Sequence, residues 1–86
     1  MQVRINITLK GIDGEYRCEL PETVTDRAVL NMMEEVIKNG ELPGYDVNDL
    51  EENFLRNYVV DCFPPTAERS EYLMVARSKT SLGLGY

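Results

Sequence analysis

The sequence predicts an α+β fold: a four-stranded mixed sheet with one main helix packed across it, in the order β-β-α-(α)-β-β. Three observations carry that expectation. Residues 3–20 alternate apolar and polar positions around a glycine-rich turn. Residues 24–40 switch to helical spacing, and two later apolar runs, at 58–63 and 72–76, have strand length. At 86 residues the chain has room for one domain with a modest core.

In the first strand Val3, Ile5, Ile7 and Leu9 alternate with Arg4, Asn6, Thr8 and Lys10. Gly11-Ile12-Asp13-Gly14 supplies the turn, and Tyr16, Cys18 and Leu20 then alternate with Glu15, Arg17 and Glu19. Such alternation places one face of a hairpin in a core.

The helix starts at Thr25, whose hydroxyl suits an N-cap, with Asp26 where negative charge meets the positive end of the helix dipole. Ala28/Val29, Met32/Met33 and Val36/Ile37 recur every four residues and define one apolar stripe. Glu34 and Lys38 stand in the favourable i,i+4 order, and Gly40 after Asn39 is a natural stop.

Beyond the irregular Glu41–Tyr45, Asp46 has the character of a second N-cap, and Val47, Leu50, Phe54 and Leu55 follow at helical spacing. That pattern predicts a short helix over about residues 47–56. A loop turning early into a strand is the competing reading. Tyr58–Phe63 is β-branched and aromatic and is halted by Pro64-Pro65. Tyr72–Ala76 is apolar without alternation, as suits a strand in the middle of a sheet. Val3–Leu9 and Tyr72–Ala76 are therefore the expected central pair, parallel, with the long intervening stretch as their crossover. Residues 1–77 form the expected domain and residues 78–86 its tail.

Met1-Gln2-Val3 at the opening, the Gly-containing turn, the helix entry Leu20-Pro21-Glu22-Thr23-Val24 and the helix exit Asn39-Gly40-Glu41-Leu42-Pro43 together resemble the ubiquitin-like, or β-grasp, family. The hairpin-helix portion also resembles its YukD-like members, small proteins associated with bacterial secretion systems. The likeness covers about half of the chain. Residues 44–76 depart from it, because ubiquitin places a strand directly after the helix exit. The end Gly83-Leu84-Gly85-Tyr86 departs too, since it is not the terminal Gly-Gly used for conjugation or sulfur transfer. What the resemblance implies is a modifier or carrier protein, with Gly85 exposed as a carboxyl terminus once Tyr86 is trimmed.

Composition excludes several chemistries. With no histidine there is no Ser-His or Cys-His base pair and no His-ligated zinc. Cys18 and Cys62 are too few for a disulfide framework or a tetrahedral zinc site, and each reads as a small buried hydrophobe. No phosphate-binding glycine loop occurs. The stretch Asp46–Glu52 lacks the spacing and internal glycine of a calcium loop. The chain is accordingly read as a non-enzyme without metal or cofactor. No run is long and apolar enough to span a bilayer, no signal-peptide pattern precedes the first strand, and the cytoplasm is the expected location.

Charge is the sharpest functional signal. Glu34, Glu35, Glu41, Asp46, Asp49, Glu51 and Glu52 are opposed between residues 34 and 52 only by Lys38, a surplus of six that equals the net charge of the whole chain, −6. Concentrated like charge steers a basic partner and disfavours direct nucleic-acid binding. The expected function is a small acidic protein-binding module, an adaptor or regulator, whose partner is a protein with a basic surface. Its candidate contact residues are Glu34, Glu35, Asp49, Glu51 and Glu52. A second candidate is the tail, where Leu82 and Leu84 between glycines, with Gly85 and Tyr86, suit docking as an extended peptide. The alternatives are the modifier or carrier and an inhibitor encoded by a mobile element that mimics nucleic-acid charge.

Overall fold

Val3, Ile5, Ile7 and Leu9 fall on one side of the first strand and are buried there, so the hairpin face read from alternation is the core face. The structure is a computed structural model describing residues 1–79. Its elements are β1 (Gln2–Leu9), β2 (Ile12–Glu19), α1 (Asp26–Lys38), a short 3-10 turn (Val47–Asp49), β3 (Tyr58–Phe63) and β4 (Tyr72–Ser78). The four strands form one mixed sheet in the order β2-β1-β4-β3. β1 and β4 run parallel in the middle, Val3 opposite Tyr72 and Ile7 opposite Ala76. β2 and β3 pair antiparallel on the two flanks. With α1 packed across one face, this is the β-grasp-like arrangement that the element order predicts.

The hairpin turn is tighter than the glycine pattern suggests. Leu9 pairs directly with Ile12, leaving Lys10-Gly11 as a two-residue loop with positive φ at both positions, 53° and 79°. That geometry matches the right-handed twist of the flanking strands, and Gly11 adopts it without strain. Gly14, expected in the turn, lies inside β2 because Tyr45 needs the space. A Cβ there would stand 2.7 Å from the Tyr45 hydroxyl oxygen.

The Thr25 hydroxyl accepts the Ala28 N–H at 3.1 Å, as an N-cap should. At the other end Gly40 adopts φ 76°, while the Glu41 N–H reaches the Val36 carbonyl and the Gly40 N–H reaches that of Ile37. This is the Schellman closure that a glycine after the helix permits. The buried stripe is Val29, Leu30, Met33, Val36 and Ile37, so it is rotated slightly from expectation: Leu30 joins it and Ala28 stays exposed. Against it lie Ile5, Ile7, Met74 and Ala76.

The helix expected over residues 47–56 does not form. Asp46 caps as predicted, accepting the Asn48 N–H at 3.1 Å, but only one 3-10 turn follows. Leu50 is already extended (φ −95°, ψ 132°), and Asn53 takes φ 56°. Asp and Asn side chains offer the backbone local partners that compete with a helical ladder. Residues 50–57 therefore run as a series of turns, called the strap below, and β3 begins at Tyr58 where the sequence places it. β4 occupies the expected centre, though only its helix-facing Met74 and Ala76 are buried; Leu73 and Val75 on the open face are half-buried. It also runs on to Ser78, two residues past the expected strand end.

Candidate protein-binding surface

The strap is fastened to α1 at several points, and one of them overturns an expectation. Glu34, read as a solvent-facing contact residue, is only 6% exposed. Its Oε2 accepts the Leu55 N–H at 2.9 Å in a buried bond spanning 21 residues. The strap passes over the helix at this height and covers the carboxylate, while Leu55 itself is completely buried in the core. A carboxylate taken from water needs such a donor, and a buried peptide N–H needs an acceptor. Glu34 is thus a structural clamp and is withdrawn from the contact surface.

Two further contacts fix the strap. Lys38 Nζ stands 5.9 Å from the centre of the Phe54 ring, within cation–π range. The Arg27 guanidinium reaches the Arg56 carbonyl at 3.5 Å. Just before the strap, Lys10 Nζ donates to the Asp49 carboxylate at 3.0 Å and to its carbonyl at 3.2 Å, tying the 3-10 turn to the β1–β2 turn. Between that turn and the strap lies an open cleft of about 480 Å³ with Leu9, Leu50 and Phe54 in its wall and Lys10 and Arg56 among its polar groups.

Of the expected contact residues, Glu35, Asp49, Glu51 and Glu52 are exposed. Asp49 is partly neutralised by Lys10. Glu35, Glu51 and Glu52 make no ion pair among the described residues. Glu51 and Glu52 ride on the strap, and Glu35 neighbours Glu34 on the helix that the strap crosses. The tail residues Leu82, Leu84, Gly85 and Tyr86 lie outside the described residues. Among the described residues no cluster of three or more His, Cys, Asp and Glu side chains is arranged to hold a metal, and no helix is long and apolar enough to cross a membrane.

Two tyrosine hydroxyls tie elements together near the cleft. Tyr45 donates to the Ile12 carbonyl at 2.9 Å, and Tyr58 donates to the Thr8 carbonyl at 2.7 Å. Burial raises both pKa values, with the Asp13 charge adding to the shift at Tyr45 and Tyr45 adding to that at Tyr58. The thiols divide. Cys18 is half-buried against the core, and burial pushes its pKa up. Cys62, expected to be buried, is exposed, because it occupies the flanking strand β3 near its end, past the cover of α1.

The open face of the sheet carries ion pairs. Arg4 Nε lies 3.3 Å from Glu71, close enough for charge attraction but off the line of a hydrogen bond. Arg17 approaches Glu15 at 3.4 Å, and Arg77 donates to Asp61 at 2.7 Å, which raises the arginine's pKa. Beside the Arg77–Asp61 pair the face turns apolar, with Val59, Leu73, Val75 and the 47%-exposed Phe63. Comparison of the chain with protein-family models, with curated proteins and with solved structures finds no match.

Proposed function

We propose that this protein is a small acidic protein-binding module that meets a basic protein surface through Glu35, Glu51 and Glu52, with Asp49 at the margin. The observation that carries this reading is the exposure of three unpaired carboxylates on and beside a strap that is itself held by the buried Glu34–Leu55 bond. A segment fixed in advance loses little conformational freedom on binding, so its charge is available for steering and recognition. An exposed free thiol at Cys62 suits the reducing cytoplasm, where the module is proposed to act.

The test is capture of partners from the native host by the wild-type protein and by the Glu51→Lys, Glu52→Lys double variant, followed by association kinetics on the partner found. Wild-type association should slow as salt rises, since exposed charges separated by more than ~8 Å are screened at physiological ionic strength. The double variant should lose on-rate while its thermal stability stays within about 0.5 kcal/mol of wild type. Unchanged binding in the double variant would refute the reading. Deleting residues 82–86 is the companion experiment, and binding lost only there would move the site to the tail.

A further inference from the structure

The two edges of the sheet are built differently. The Leu20 N–H bonds the Met1 carbonyl at 2.9 Å, and the Met1 amino group bonds the Leu20 carbonyl at 2.7 Å. Hydrogen-bonded pairs alternate along an antiparallel ladder. From that start, the β2 residues whose N–H and C=O face outward are Asp13, Glu15, Arg17 and Glu19, each of them charged. Charged side chains along an edge are the usual guard against pairing with another chain.

β3 has no such guard. The Lys79 N–H bonds the Asn57 carbonyl at 2.7 Å, and these residues continue the β3–β4 register one step beyond Tyr58 and Ser78. By the same alternation Val59, Asp61 and Phe63 bond β4, whereas Tyr58, Val60 and Cys62 face their backbone groups outward. None of the three is charged. The Tyr58 N–H is satisfied by the Leu55 carbonyl at 3.0 Å. The N–H and C=O of Val60 and Cys62 have no backbone partner beyond the sheet among the described residues. The only charged residue of the strand, Asp61, is neutralised by Arg77 within the sheet.

We infer that β3 pairs antiparallel with β3 of a second copy of this chain across a two-fold axis at Val60. Sequence and ladder select that register: an axis at Val59 or Tyr58 would shorten the ladder and centre it on the Tyr58 N–H, which already bonds the Leu55 carbonyl. Keeping both apolar core faces on one side of a continuous sheet requires the axis to pass through a residue, not between two. An axis at Cys62 would set Pro64, which has no N–H, opposite Val60. An axis at Asp61 would set two carboxylates directly opposite each other, an unfavourable cross-strand pair. With the axis at Val60, Tyr58 faces Cys62 and Val59 faces Asp61 of the other copy. Each Val60 N–H then donates to the other Val60 carbonyl, and each Cys62 N–H donates to a Tyr58 carbonyl. The apolar open-face residues Val59, Leu73 and Val75 continue across the seam. A single strand pair is a small interface, so the association belongs to the weak, concentration-dependent class.

Sedimentation velocity from ~10 µM to ~1 mM should show a monomer passing to a dimer, the range expected of a weak interface. Dimerisation should strengthen as salt rises, because each copy carries a net charge of −6. The proposed partner binding has the opposite salt dependence, so the two readings fail independently. Amide exchange at Val60 and Cys62 should slow with concentration, while exchange at Glu15 and Arg17 on the other edge does not. Cys62→Pro removes an outward N–H from an exposed edge position without touching a bond to β4, and should leave a folded protein monomeric throughout. Val60→Lys, checked for folding by circular dichroism, should do the same. A wild-type chain monomeric at ~1 mM, or a dimer that survives Cys62→Pro, would overturn the inference, as would protection of β3 only by a different protein.

Discussion

Replacing Glu34 with alanine removes the acceptor that holds the buried Leu55 N–H at 2.9 Å. An orphaned buried donor forfeits its desolvation energy, ~1–3 kcal/mol. If the strap also lifts, Leu55, now fully buried, loses some of the ~1.5–3 kcal/mol that burying a leucine side chain contributes. The first figure applies if the strap stays, and the second if it leaves, because the N–H is then open to water and no longer orphaned. Against the ~5–15 kcal/mol typical of a folded domain, either is a large share. Glu34→Gln keeps an oxygen at the same reach and loses only the excess of a charge-assisted bond over a neutral one, about 1 kcal/mol. Urea unfolding of wild type and both variants measures the differences, provided that the m-value is unchanged. Amide exchange at Leu55 reports the bond itself. Alanine and glutamine variants within about 0.5 kcal/mol of wild type, with Leu55 still protected, would refute the clamp.

Two further outcomes follow from the titrating groups. Tyr45 and Tyr58 both have pKa values raised by burial, so the folded state holds these protons more tightly than the unfolded chain. Their contribution is complete below the ordinary tyrosine value of 10.0 and is lost as pH rises through the raised folded values; phenolate absorbance should appear late and together with loss of structure, and Tyr58→Phe should remove part of that alkaline transition. For the thiols, Cys62 should react with a thiol reagent at close to its unfolded rate, while Cys18 should react slowly in the native protein and quickly in denaturant. Fast native labelling of Cys18 would overturn its placement against the core.

The fold was legible because its signals are local and repetitive. Val3, Ile5, Ile7 and Leu9 show a period of two, Thr25 and Gly40 bracket the helix, and Tyr72–Ala76 lacks the alternation of a flanking strand. What was not legible depends on contacts between distant residues. The spacing of Glu34, four after Leu30 and three before Ile37, puts it on the buried stripe once Leu30 is counted in, but the strap N–H that satisfies it comes from 21 positions away and leaves no local signal. Residues 47–55 carry helical spacing, yet Asp46, Asn48, Asp49 and Asn53 favour turns, and local side-chain competition outweighed period. Residue type alone puts Cys62 inside, whereas its exposure follows from strand order: β3 lies at the edge, outside β4. The difference between the two edges was partly available in the sequence as charge along β2 and its near-absence from β3. It acquires meaning only once the ladder shows which residues bond outward.

The distribution of ion pairs connects the two proposed surfaces. Arg4, Arg17 and Arg77 are engaged with carboxylates on the open face, and Lys10 with Asp49. Surface pairs of this kind add little stability. Their larger effect is on the field, because a paired charge is cancelled at the distance from which a partner approaches. Glu35, Glu41, Asp46, Glu51 and Glu52 have no ion pair among the described residues and stand close together in the sequence, whereas the other carboxylates without an ion pair are scattered and Arg27 and Arg56 beside the strap offset only part of the surplus. On the proposed reading, a basic protein is drawn toward the strap. The edge of β3 has a single carboxylate, paired with Arg77, so the proposed approach of a second, equally acidic copy meets little local repulsion there. Screening acts on the two encounters in opposite directions, weakening the attraction at the strap and relieving the repulsion between copies. One salt series, read for partner binding and for self-association, therefore separates the two surfaces without any substitution.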